Sequence, residues 1–180
     1  MRSFSNKSFW AAVPALVASF SPVVAADFLT ESDAQKALFP EGESFDRLPS
    51  PAVSSLAAAS AAAGGGSWAV APKIWTVKKG EELVGHVVID QVIGKHDFIT
   101  FGVGISSGGE VLGVEILSYR EVYGGEVRTP RWRRQFVGKK TGDALRFPLD
   151  IKNISGATLS CRHVTDGVRR VLALMENRAS

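Results

Sequence analysis

The chain is expected to fold as an α+β protein, an antiparallel sheet of about four to five strands packed with N-terminal and C-terminal helices. Three observations lead there. Apolar or β-branched runs at 74–77, 83–93, 98–105 and 111–117 follow one another, separated only by turn signals at Lys79-Gly80, Gly94-Lys95 and Ser107-Gly108-Gly109. Connections so short close hairpins and leave no room for the crossover helices of a parallel sheet, so the runs form a meander. Ahead of them lie segments with helix-start and helix-stop residues. Behind them Val164, Val168, Val171, Leu172 and Met175 recur at the three- and four-residue spacing of one helix face.

Taken from the start, Arg2 and Lys7 precede an apolar stretch at 9–24, and Val24-Ala25-Ala26 places small residues just before Asp27. That is the pattern of an export signal. Cleavage is expected after Ala26, so 1–26 is the signal peptide and the mature protein lies in a periplasm. An uncleaved anchor would need about 20 predominantly apolar residues. It ranks second because Pro14, Ser19, Ser21 and Pro22 interrupt the stretch. No later stretch is long and apolar enough to span a bilayer, so no transmembrane segment is expected after cleavage.

Thr30-Glu31-Ser32-Asp33 opens a helix, with a hydroxyl cap and acids in the first turn, and Pro40 and Gly42 stop it. The alanine- and serine-rich run at 52–63 ends on Gly64-Gly65-Gly66. Alanine propensity favours a helix there, while low complexity equally permits a linker. Residues 27–66 are therefore an N-terminal helical segment with an Ala/Gly-rich connection, and 67–180 form the main domain. Gly102-Val103-Gly104 starts like a dinucleotide fingerprint, but no third glycine and no helix follow at the required spacing. It reads instead as a strand approached closely by another element.

Thr129-Pro130 predicts a short helix with Trp132 and Phe136 one above the other. Arg128, Arg131, Arg133, Arg134, Lys139, Lys140 and Arg146 make this the basic side of the protein. Basic residues beside aromatics suit a flavin, an anionic lipid surface or an acidic partner, or a solvated helix face over a buried tryptophan. Nucleic acid is not the expected partner. Without Arg2 and Lys7 the 21 basic residues fall to 19 against 18 acidic ones, so the mature chain is almost neutral.

The single cysteine, Cys161, excludes an intrachain disulfide and a thiolate cluster. It is read as a small buried hydrophobe more readily than as a thiolate activated by the helix dipole. His86, His96 and His163 show no metal-ligand spacing, and no nucleophile-elbow sequence surrounds Ser155 or Ser160. No metal and no catalytic side chains are expected.

The stretch Ser155-Gly156-Ala157-Thr158-Leu159-Ser160 joins a segment read as extended, carrying Leu145, Phe147, Leu149, Ile151 and Ile154, to the last helix. Unpaired N–H groups and the positive helix end make such an entrance suitable for a phosphate. Serine and threonine are also ordinary helix caps.

Together, the export signal, the meander and Ser155-Gly156-Ala157-Thr158 before a final amphipathic helix resemble the FMN-binding domain family. That family includes the covalently flavinylated periplasmic subunits of sodium-translocating NADH:quinone reductases and Rnf-type complexes. The resemblance covers roughly residue 67 to the end and implies FMN as cofactor, phosphoester-linked to Thr158 by a separate flavin transferase that uses FAD. It further implies flavin contacts from Ser155, Gly156, Ala157, Leu159 and Ser160, and from Glu126, Arg128 and Thr129, which match the family's Glu-Thr-Pro-Gly segment loosely. Lys152 stands where the family usually carries an aspartate, and Asp150 is the nearest acid. The implied function is electron transfer with a membrane or soluble redox partner. The alternatives are an FMN-dependent periplasmic reductase and a flavin-free exported binding module.

Overall fold

The computed structural model describes residues 26–121 and 123–179; the expected signal peptide therefore lies almost wholly outside the described residues. The sheet has the order β1-β6-β5-β4-β3-β2, and every neighbouring pair is antiparallel. The expected meander is its centre: β3 (Lys73–Lys79), β4 (Glu82–Ile93), β5 (Phe98–Ser106) and β6 (Val111–Tyr119). Two short edge strands complete it, β1 (Ala26–Asp27) beside β6 and β2 (Ser44–Arg47) beside β3. Neither edge strand has an apolar run to announce it. Each acquires strand geometry by pairing with a stronger neighbour.

Alternation along the strands divides the apolar residues between two faces. Ile99, Phe101 and Val103 of β5, with Val88 and Val92 of β4, meet α2 (Val53–Ala62) and α4 (Thr158–Ala179) in the larger core. Val87 and Ile89 face the other way, toward α1 (Glu31–Leu38), where Ala34, Leu38 and Trp75 form the smaller one. The segment ahead of residue 67 thus covers one face with α1 and contributes α2 to the other.

The close approach expected at Gly102-Val103-Gly104 is made by Leu38. A Cβ on Gly104 would lie 3.0 Å from Leu38 Cβ, and one on Gly102 would lie 3.4 Å from the same side chain. Thr30 caps α1 by accepting the Asp33 N–H while the Asp33 carboxylate accepts the Thr30 N–H at 3.2 Å. The alanine-rich run is a helix, not a linker, because Ala59 and Ala63 pack into the larger core.

Past β6 the chain runs through a 3₁₀ turn (Gly125–Arg128) and the single-turn helix α3 (Pro130–Arg133). Trp132 and Phe136 meet edge to face at 5.2 Å, both buried. The segment read as extended before α4 is a correction. Residues 147–150 are a turn, with the Asp150 N–H donating to Arg146 C=O at 2.7 Å and the Arg146 N–H to the Asp150 carboxylate at 2.9 Å. Alternating apolar residues resemble a strand locally, but no neighbouring strand pairs with them. Among the described residues no helix is long and apolar enough to cross a membrane.

Candidate functional site

Helix α4 begins at Thr158, and its first turn is the floor of a cavity of about 430 Å³. That volume falls in the range of cofactor-sized sites, about 300–1,000 Å³. Gly156, Ala157, Thr158, Leu159 and Ser160 line it from the helix, Lys95 and His96 from the β4–β5 hairpin tip, and Glu121 and Tyr123 from the loop after β6.

The entrance is shaped locally. Gly156 sits at φ +84°, in the left-handed region where a side chain is strained, and the Ala157 N–H turns back to Ile154 C=O at 3.0 Å. Cys161 is the first residue whose N–H finds an acceptor one turn back, Ala157 C=O at 2.9 Å. The N–H groups of Thr158, Leu159 and Ser160 therefore have no intrahelical acceptor and gather at the positive end of the helix.

Thr158 is exposed, and its hydroxyl accepts a hydrogen bond from Asn153 Nδ2 at 3.1 Å. Asn153 escaped the sequence reading. Only the fold of the 147–157 turn brings it back to the helix start, although its five-residue spacing from a candidate nucleophile was a usable signal.

Two long-range ties hold the walls. The buried Ser160 hydroxyl lies 3.0 Å from the Tyr119 hydroxyl, which in turn donates to Tyr123 C=O, so Ser160 is the donor in the first bond. Burial pushes the Tyr119 phenol up, more than the Ser160 bond pulls it down. Gly124, at φ +91°, then passes so close that a Cβ there would lie 2.5 Å from Tyr119 Oη and 3.2 Å from Ala157 Cα.

Glu121 supplies the second tie, accepting the backbone N–H groups of His96 and Asp97. Its partial burial would raise the carboxyl, but these amides and that of Lys95 together hold it below the usual range, so it is ionised. The hairpin tip is thereby fixed with Lys95 and His96 over the entrance to α4. An anionic group finds Lys95 and the helix N–H groups, with the Glu121 carboxylate also on the wall but occupied by the hairpin amides. An apolar ring finds Tyr123, 80% exposed, and Leu159, 44% exposed. The residues present fit a phosphate joined to a flat ring system.

The other sequence candidates are placed variously. Ser155 is exposed in the preceding turn and does not line the cavity. Glu126 is exposed, and its charge bears on Tyr119 and Cys161 from one side of the entrance. Arg128 does not line the cavity, and its guanidinium lies 3.8 Å from the centre of the Phe28 ring. Thr129 precedes α3, its carbonyl accepting the Trp132 N–H at 3.0 Å.

Asp150 is engaged by Arg146, whose side chain holds its carboxyl below the usual range. Lys152 has its backbone clamped by α3 and the 3₁₀ turn after it, its carbonyl taking Trp132 Nε1 and its N–H donating to the Gln135 side-chain oxygen, each at 2.8 Å. Its ammonium donates to Leu149 C=O at 2.8 Å. Cys161 is fully buried and its thiol is pushed up by burial, so it packs as a small hydrophobe. Among the described residues no group of three or more His, Cys, Asp or Glu could hold a metal ion.

Residues 94–173 match the family model described as FMN-binding domain. The matched span contains every residue lining the cavity, from Lys95 to Ser160. No curated protein matches the chain.

Proposed function

We infer, for a chain whose residues 94–173 belong to the FMN-binding domain family and whose cofactor is FMN, an exported electron-transfer flavoprotein with the cofactor phosphoester-linked to Thr158. The observation that carries this reading is the Thr158 hydroxyl. It is exposed, it opens onto a cofactor-sized cavity, and it sits among helix N–H groups with Asn153 its one hydrogen-bond partner among the described residues.

Attachment requires a flavin transferase and FAD. Thr158 Oγ forms a bond to the phosphorus of the flavin half, the pyrophosphate bond breaks, AMP leaves with the electron pair, and the hydroxyl proton goes to the transferase or solvent. Asn153 holds Thr158 Oγ as acceptor and leaves its proton free to depart. The N–H groups of Thr158, Leu159 and Ser160, with Lys95, then neutralise the phosphate charge that remains. Tyr123 and Leu159 are the apolar side chains that would lie against the ring.

FMN, when bound, supplies one- and two-electron redox chemistry. A membrane or soluble redox partner would reach it through the mouth of the cavity. Export into a periplasm is the setting in which a covalent bond has most use, because a lost cofactor is not recovered there.

The test is the intact mass after coexpression with a flavin transferase. Wild type gains the mass of FMN less water and Thr158→Ala does not. An unmodified wild type removes the covalent bond from the proposal and leaves tightly held, non-covalent FMN. Steady-state turnover of the loaded protein with a nicotinamide and a small acceptor, without any protein partner, would point instead to a reductase.

A further inference from the structure

Strand β4 places a carboxylate where its pattern asks for an aliphatic residue. Asp90 lies between Val88 and Val92 on the α4-facing side and is 1% exposed. Opposite it on α4 is Arg170, 5% exposed, with Nη2 3.8 Å from Asp90 Oδ2. That separation is too long for a hydrogen bond. Neither Asp90 oxygen nor Arg170 Nε makes a well-formed hydrogen bond within the chain. Two buried ionisable groups that face each other without bonding are costly, and such groups call for a partner from outside the fold.

The surroundings supply room for one. Arg170 lines a cleft of about 530 Å³ between the loop at 64–67, the end of β4 and the middle of α4. Gly66 passes so close that a Cβ there would lie 2.9 Å from Arg170 Nη1, and Gly64, Gly65 and Gly66 all have positive φ. Below, Trp68 is fixed by its Nε1–H to Leu56 C=O at 2.9 Å, with the Arg170 guanidinium 5.3 Å from its ring centre. The mouth is apolar, formed by the cross-strand pair Ile93 and Phe98, both about half exposed. Gln91, His163 and the Asp166–Arg169 ion pair also line the cleft. His163 Nδ1 lies 2.5 Å from Ile93 C=O, and both residues line this cleft and not the Thr158 cavity.

We propose that this cleft binds an organic carboxylate with a flat apolar body, its carboxylate held by Arg170 and its body against Ile93 and Phe98. The site does not depend on how FMN is attached. Arg170 then has two competing anions, the ligand and Asp90. Burial pushes the Asp90 carboxyl up to about 7, against the pull of the Gln91 amide and Arg170. Ligand binding therefore favours protonated Asp90, and affinity rises as pH falls through this value.

The charged groups packed around Asp90 come from α4 alone. They are Arg170 itself and, farther out, the Asp166–Arg169 ion pair. Helix α2, strand β5 and the loop at 64–68 carry no charged side chain, and Lys73 at the start of β3 is paired with Glu31.

The test is calorimetric titration of the purified chain with benzoate, its neutral isostere benzamide, and inorganic phosphate, at pH 6 and pH 8. Benzoate is expected to bind at least about tenfold more tightly than either comparison, and about fivefold more tightly at pH 6 than at pH 8, the effect of coupling worth one pK unit on a carboxyl at about 7. Benzamide or phosphate binding as well as benzoate overturns the proposal, as does an affinity that ignores pH.

Asp90→Asn mimics the protonated carboxyl in shape. It should bind benzoate as wild type does at pH 6, with no change at pH 8. Arg170→Gln should lose binding, and the Asp90→Asn profile decides the matter if Arg170→Gln does not fold. Equal affinity in flavin-loaded and flavin-free protein supports a separate site, and loss on loading overturns that assignment.

Discussion

The first and last helices among the described residues open at a threonine, and these two hydroxyls have opposite employment. Thr30 is closed into a capping box, taking the Asp33 N–H while Asp33 returns the bond. Thr158 takes its hydrogen bond from Asn153, outside the helix, and faces a cavity. A Ser/Thr-rich helix start is ambiguous in sequence because the same side chain serves as cap or as reactive group. The partner of the hydroxyl separates the two: one bonded to its own helix stabilises, and one bonded from elsewhere and left exposed is free to react.

The sharpest way to break this contrast is Thr158→Ala. All covalent FMN should be lost, read by intact mass, while stability in a urea titration stays within about 0.5 kcal/mol, as for a surface change that removes no cap. A large loss of stability would make Thr158 a structural cap like Thr30.

The next effect lies at Asp90 of β4, opposite Arg170 of α4. Its carboxyl is raised in the folded state, so between about pH 4 and pH 7 the folded chain binds more protons than the unfolded one. Stability contributed by the protonated form is present below that window and lost as pH rises through it. The loss is on the order of 4 kcal/mol from a shift of about three units. Urea midpoints of wild type should fall across that range relative to Asp90→Asn.

Smaller again is Gly167→Leu. A Cβ there already lies 2.6 Å from the Phe101 ring, so overpacking should cost about 1–3 kcal/mol. Helix content at the Thr158 end and FMN attachment should survive it. Smallest is Thr30→Ala, about 1 kcal/mol of stability from a lost cap with no change in flavin content.

Much of this could be read from residue order alone. The four long strands were legible because turn residues punctuate the apolar runs. So was α1, since a capping box spans four residues, and so was α4, whose apolar stripe repeats over several turns. The phosphate-suited entrance at 155–160 was legible as a possibility. Other features were not. Strand β2 has a half-polar sequence and exists through its pairing with β3. The turn at 147–150 hid inside an alternating apolar pattern. Arg128 matched the family's segment in sequence, yet Phe28 holds its side chain elsewhere.

What the sequence determined by itself is local: strand runs, helix caps, and the small hydroxyl-bearing residues at the last helix entrance. These depend on turn chemistry and spacing over a few residues. What only the tertiary structure decided is the company those residues keep. Tyr119 meets Ser160 across 41 positions, and His163 meets Ile93 across 70. Such contacts follow from sheet register and from where α4 lies on the sheet. The same register placed Asp90 opposite Arg170. Thr158 is a helix-start residue by sequence, and it is a candidate attachment point because a distant hairpin, fixed by Glu121, builds a cavity over it.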